Sequence, residues 1–182
     1  MRPEDHEIIN GKKYMMQTLD TNSNIIKGNI LCIFKNYLKG KPDEVFMEID
    51  VHLSEDNIFI PNGCIVSKPE MIREDGIYGT PDLIVEILLP WRARNAKISK
   101  KIAYEKYGVK EYWIVDPFGK SVDVYIRKDN RLELDDVYST YRDFEWNRLT
   151  EEARAAVKHS IKVSLYDDLY VTLDDIFEGV IE

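Results

Sequence analysis

Apolar residues at Ile26, Ile30, Ile33, Phe34, Tyr37 and Leu38 recur at helical spacing, which predicts one amphipathic helix. Ser23 or Asn24 supplies its cap and Gly40 a left-handed stop. Alternation then takes over. Val45, Met47, Ile49, Val51 and Leu53 interleave with Phe46, Glu48, Asp50 and His52, the period-two pattern of a strand buried on one face, with two acids on the other. Asp56-Asn57 turns the chain into Ile58-Phe59-Ile60, and Pro61-Asn62-Gly63 interrupts it before Cys64-Ile65-Val66, so a hairpin with a break is expected.

Residues 83–89 form a nearly continuous apolar run between Pro81 and Pro90, as expected for a strand covered on both faces. Glu86 is its only charge. Between Ala96 and Tyr107, Ile98, Ile102 and Tyr104 supply a helical apolar stripe that Gly108 ends. Residues 111–117 read as a second strand, Phe118-Gly119-Lys120 as a turn and residues 122–126 as its partner strand. Weaker signals place a strand near 132–137, a helix around 149–157 and a last strand near 169–173. Strand, crossover helix, strand and hairpin predict an α/β (α+β mixed) fold, a mixed sheet flanked by helices.

The 182 residues show no repeat or linker, so a single domain over 1–182 is expected. Hydrophobic residues make up 44% and charged residues 32%, which excludes the disordered and fibrous classes. Cys32 and Cys64 offer neither a disulfide framework nor a thiolate metal site and read as core residues. No apolar run reaches the length of a membrane span and Met1 to His6 shows no signal-peptide character, so a cytoplasmic protein away from membranes is expected. A net charge of −8 argues against indiscriminate adhesion to nucleic acid. Yet Arg92, Arg94, Lys97, Lys100, Lys101, Lys106 and Lys110 face only Glu105 within their stretch, a basic stripe that can meet a polyanion or simply face solvent.

A charge inside an apolar strand must be paired, hydrogen-bonded or metal-bound. Glu86 is therefore either the partner of a nearby cation or a ligand for Mg²⁺, which prefers carboxylate oxygen. Asp82 shares its strand face but lies about 13 Å away at ~3.3 Å per residue. It is a second candidate ligand, or else caps a turn. A further ligand has to come from a neighbouring strand, where Glu48, Asp50 and the Pro61-Asn62 break are nearest in sequence. Lys100, on the helix leaving the Glu86 strand, can bring an ammonium over the strand end to steady a phosphate. A working site should place a second carboxylate within a few ångströms of Glu86, with Lys100 in the same cleft. The histidines are scattered, and no phosphate-binding glycine loop or nucleophile elbow occurs.

Gly79-Thr80-Pro81-Asp82-Leu83-Ile84-Val85-Glu86-Ile87-Leu88, followed by Tyr104 and by Gly108-Val109-Lys110-Glu111-Tyr112-Trp113-Ile114-Val115-Asp116-Pro117, resembles the core signature of the Uma2 restriction endonuclease family, of the PD-(D/E)xK nuclease superfamily. Fainter similarity runs from Glu7-Ile8-Ile9-Asn10-Gly11 to Leu173-Asp174-Asp175-Ile176-Phe177. The resemblance implies a restriction-endonuclease-like core, Mg²⁺-dependent (or Mn²⁺-dependent) cleavage of DNA, and a homodimer. On that pattern Glu86 is the strand carboxylate, Leu88 stands where other members of the fold place lysine, Lys100 is that lysine moved to the helix, and Glu7 is the family's N-terminal acid. Two departures stand out. The family's metal-binding aspartate corresponds to Asn62, a neutral and poorer ligand for a hard cation. The acid before the crossover helix falls near Ala96, and the usual Ser-Pro-Ser-Thr is Leu89-Pro90-Trp91-Arg92. Two functions follow: an endonuclease with a partly eroded site, using Glu86, Lys100, Asp82 and Glu7 for catalysis and Glu86, Asp82 and Asn62 for the metal, or a catalytically inactive nuclease fold that binds nucleic acid or a protein partner.

Overall fold

The chain forms two six-stranded sheets packed through a shared apolar layer, with helices on the far face of the second. This computed structural model describes residues 6–16, 18–89 and 95–181, with the side chains of 95–97 outside the description. Arg92, Arg94 and the Leu89-Pro90-Trp91-Arg92 departure beyond Leu89 thus lie outside the described residues, as does the Ala96 side chain.

The N-terminal sheet comprises β1 (His6–Ile9), β2 (Lys12–Met15), β4 (Val51–Ser54), β5 (Asn57–Phe59), β7 (Ile72–Arg73) and β8 (Gly76–Tyr78), in the order β2-β1-β5-β4-β8-β7. The central sheet comprises β3 (Glu44–Phe46), β6 (Gly63–Val66), β9 (Leu83–Ile87), β10 (Glu111–Asp116), β11 (Ser121–Lys128) and β12 (Arg131–Ser139), in the order β12-β11-β10-β9-β6-β3. A small ladder pairs β13 (Ser160–Lys162) with β14 (Tyr170–Thr172). Both large sheets are mixed, as predicted: β9 and β10 run parallel with Glu86 opposite Ile114, and their other neighbours run antiparallel.

Helix α1 (Thr21–Leu38) buries Ile26, Ile30, Phe34 and Leu38 against one face of the central sheet. Each such side chain contributes roughly 1.5–3 kcal/mol on leaving water. Its cap is Asp20, whose carboxylate accepts from Ser23 N at 2.8 Å, so the helix starts earlier than the apolar period alone suggests. The stripe marks only buried turns, and the first turn here is polar. Gly40 takes the left-handed φ of 81°. Cys64 is buried, with its thiol pushed up to about 12 by that burial, whereas Cys32 lies exposed on α1 and is not the core residue expected.

The single strand predicted over residues 45–53 is two. β3 pairs with β6 in the central sheet, and β4 pairs with β5 and β8 in the N-terminal one. Between them Glu48 adopts a left-handed φ of 50°, uncommon for a side-chain-bearing residue. Its amide donates to the Pro61 carbonyl at 3.1 Å and its carboxylate meets Lys27 at 2.8 Å. Alternation survives the corner because both halves bury one face, so hydrophobic period cannot see the change of sheet. The predicted hairpin turning at Asp56-Asn57 is present as β4 and β5, and its expected break at Pro61-Asn62 is a crossing from one sheet to the other, into β6.

From β9 the chain passes through a π-helical turn (Asn95–Lys100) into α2 (Lys101–Tyr107), which ends at Gly108 with φ 94°. Shorter helices α3 (Asp143–Trp146), α4 (Glu151–Ala156) and α5 (Leu173–Phe177) follow, α5 packing on α1. No described helix is long and apolar enough to cross a membrane.

Candidate active site

The alternation of β9 decides which residues meet. Leu83, Val85 and Ile87 face the α1 core, while Ile84, Glu86 and Leu88 face the layer shared with α2 and the N-terminal sheet. A carboxylate in that second layer is surrounded by Tyr104, Tyr112 and Ile114 and must find its partners there. Helix α2 and the turn before it deliver them. Lys100 Nζ lies 2.9 Å from both Glu86 oxygens, and the Tyr104 hydroxyl donates to Glu86 Oε1 at 2.8 Å. The spacing of four between Lys100 and Tyr104 sets both side chains on one helical face.

The second carboxylate is Glu7, from β1. Lys100 Nζ lies 2.6 Å from Glu7 Oε1, and the same oxygen accepts from Ile60 N at 3.0 Å. One ammonium thus bridges two carboxylates brought together from different sheets. Asn62 is buried at the crossing between β5 and β6, and its side-chain oxygen accepts from Ile87 N, the amide next to Glu86, at 2.7 Å. Glu7, Asn62, Glu86 and Lys100 are 2%, 6%, 5% and 6% exposed, so the cluster is desolvated and its charges act at short range with little screening.

Among the described residues, two acids and one base leave this buried group one negative charge in excess. Burial, reinforced by the neighbouring Glu7 charge, holds the Glu86 carboxyl above its ordinary value although Lys100 pulls the other way. Burial disfavours the Lys100 ammonium, but Glu7 and Glu86 outweigh it and its pKa lies above the ordinary value. Burial first, and the adjacent carboxylates next, push the Tyr104 phenol well up, so it stays a donor. Such an excess is offset by a proton or by a cation. Among the described residues no three His, Cys, Asp or Glu side chains gather to hold an ion. Mg²⁺, however, uses one or two protein carboxylates and completes its shell with water and phosphate oxygen, so two glutamates beside an amide oxygen fit it chemically.

Asp82 is not part of this group. Its carboxylate accepts from Ser67 N at 2.9 Å and Ser67 Oγ at 2.6 Å and pairs with Lys110 at 2.7 Å. Burial alone would raise its pKa, but these partners overcome it and hold the carboxyl below its ordinary value. Four residues of extended chain keep it from Glu86, and its capping of the β6–β9 corner replaces the ligand role expected of it. Glu48, turned toward Lys27, is likewise absent from the group. Of the residues singled out in the sequence, the structure brings Glu7, Glu86 and Lys100 into contact and places Asn62 one strand over, against the Ile87 amide. The sequence reading missed the work of Tyr104 and of the Ile60 amide, and only the i, i+4 spacing from Lys100 signals the first. The basic stripe disperses: Lys100 is buried, Lys101 meets Glu105 at 3.6 Å and Lys110 meets Asp82.

Comparison with known proteins bears on the family and the fold. Residues 2–157 match the model of the Uma2 family, described as "Putative restriction endonuclease". Among solved structures, one described as "a putative nuclease belonging to DUF820", from Anabaena variabilis ATCC 29413, is similar with a TM-score of 0.73 at 18% identity, covering 97% of this chain and 91% of that one. At that identity the likeness speaks for the fold. A search of curated proteins finds no significant match.

Proposed function

The chain belongs to the Uma2 family, and on that premise we propose that it is a Mg²⁺-dependent endonuclease that hydrolyses DNA phosphodiester bonds. The observation that carries the reading is the buried Glu7–Lys100–Glu86 cluster: two carboxylates and an ammonium with one negative charge in excess. Glu86 and Glu7, with the Asn62 oxygen at their edge, would hold Mg²⁺ or Mn²⁺. An ion bound there supplies Lewis-acid polarisation of the phosphate and a more acidic water. Lys100 keeps its positive charge through both glutamates and offers it to the charge that builds on the phosphate oxygens. Tyr104 fixes the rotamer of Glu86 by its hydrogen bond, and the Ile60 amide does the same for Glu7. A cytoplasmic homodimer acting on DNA completes the proposal.

A second reading is favoured by one contact. The Asn62 oxygen is engaged by the Ile87 amide, a structural use that needs no metal, and a nuclease fold that has lost its aspartate can serve as an inert binder of nucleic acid or protein. Calorimetric titration with Mg²⁺ and Mn²⁺, joined to a supercoiled-plasmid nicking assay, separates the two. Binding and nicking that both disappear in Glu86→Gln support the enzyme. A wild-type protein that binds neither ion and leaves the plasmid intact sinks it in favour of the inert binder.

A further inference from the structure

Strand β2 lies at the edge of the N-terminal sheet, and among the described residues its ladder partner is β1, the strand that carries Glu7. In that antiparallel register Tyr14 is directly opposite Glu7 and Lys12 opposite Ile9. Opposed residues project from the same face of a sheet with Cβ atoms about 5 Å apart. Glu7 and Ile9 are the inward residues of β1, so Tyr14 and Lys12 extend the face on which the buried cluster sits. All four residues of β2 are exposed. Neither Lys12 nor Lys13 has an ion-pair partner among the described residues, and Lys13 projects from the opposite face.

We propose that β2 is a substrate-strand subsite in which Lys12 takes a backbone phosphate about two steps from the scissile one and Tyr14 stacks on a base between them. This rests on the nuclease reading of the Glu7–Lys100–Glu86 cluster and names the part of the substrate held just outside it. Lys12 and Tyr14, two residues apart, are separated by about 7 Å along the strand, the axial length of roughly two base steps. An aromatic ring takes any base on its face, and an unpaired ammonium takes phosphate as a point charge. An overall acidic chain needs such a local cation, because its summed field repels a polyanion. The subsite is sequence-tolerant, since neither contact reads a base edge.

The test uses the full chain carrying Glu86→Gln, with a fluorescein-labelled DNA duplex and the matching single strand, each titrated over a range of salt. Adding Lys12→Gln should lower the slope of log affinity against log salt by about one unit. Adding Tyr14→Ala should weaken single-strand binding about 5- to 100-fold, with Tyr14→Phe restoring it. Lys158→Gln, a control at a cation already paired with Asp136, should change neither. In the parent protein, Lys12→Gln should raise KM for nicking while kcat holds. If the parent nicks plasmid yet Lys12→Gln and Tyr14→Ala leave KM, affinity and salt slope untouched, β2 is no subsite although the nuclease reading stands. If the parent neither nicks nor binds either oligonucleotide, both fall together.

Discussion

Replacing Lys100 with methionine keeps the aliphatic volume of a buried side chain and removes the cation that bridges Glu7 and Glu86. Lys100 is 2.6 Å from one carboxylate and 2.9 Å from the other, all three nearly solvent-free. Removing one member of a buried ion pair leaves an uncompensated charge and costs about 3–5 kcal/mol, a large share of the 5–15 kcal/mol that hold a domain folded. The loss should depend on pH. Burial already lifts the Glu86 carboxyl above its ordinary value, so above the ordinary carboxylate range the folded chain keeps a proton that the unfolded chain has shed. Stability from this group is then greatest below the unfolded value and falls as pH rises through the folded one. Lys100 opposes that lift, and taking it away steepens the fall. Urea unfolding without divalent ions, followed by the fluorescence of buried Trp113, reads the difference. Lys100→Met should lose about 3–5 kcal/mol at pH 8 and distinctly less at pH 5. A loss under about 1 kcal/mol at both pH values would refute the claim that the ammonium holds two buried carboxylates together.

Asn62→Asp keeps an acceptor for the Ile87 amide and restores a carboxylate beside Glu86; calorimetry should show tighter Mg²⁺ and Mn²⁺ binding and the nicking rate should rise, while the ion-free protein becomes less stable. Asp82→Asn removes the partner of Lys110, which is 59% exposed, so the ion pair itself contributes at most about 1 kcal/mol. Nicking under saturating metal should be unchanged. Because the folded Asp82 carboxyl lies below its ordinary value, the stability it adds is present above the unfolded value and fades as pH falls, and in acid the variant should match the parent in urea unfolding.

Strands β9, β10 and β11 of the central sheet were legible because each is long enough to show its own period: β9 as an apolar run, β10 and β11 as a hairpin around Phe118-Gly119. The N-terminal sheet was not. Its strands are two to four residues long, too short for a pattern to rise above chance, and β7 and β8 passed unnoticed. Helix α2 misled in another way. Ile98 and Ile102, read as its buried stripe, are 48% and 62% exposed, while Lys100 and Tyr104 turn inward. Satisfaction of Glu86 overrides hydrophobic period there, because an unpaired buried carboxylate costs more than two exposed isoleucines. The site was half legible for the same reason. A lone Glu86 in an apolar strand demands partners, which the sequence states; that the partners are Glu7 and Tyr104 rather than Asp82 depends on which strand faces which, and no local pattern encodes that.

The corner at Glu48 and the crossing at Pro61-Asn62 carry the chain out of the central sheet and back, and this detour makes the site depend on the docking of the two sheets. The Lys100–Glu86 contact closes over 14 residues, whereas Glu7 reaches the Ile60 amide across 53. A molecule whose N-terminal sheet has come undocked therefore keeps the ammonium and one carboxylate but lacks the other. The complete charge cluster is thus a property of the docked architecture, and a partly unfolded molecule holds only half of it.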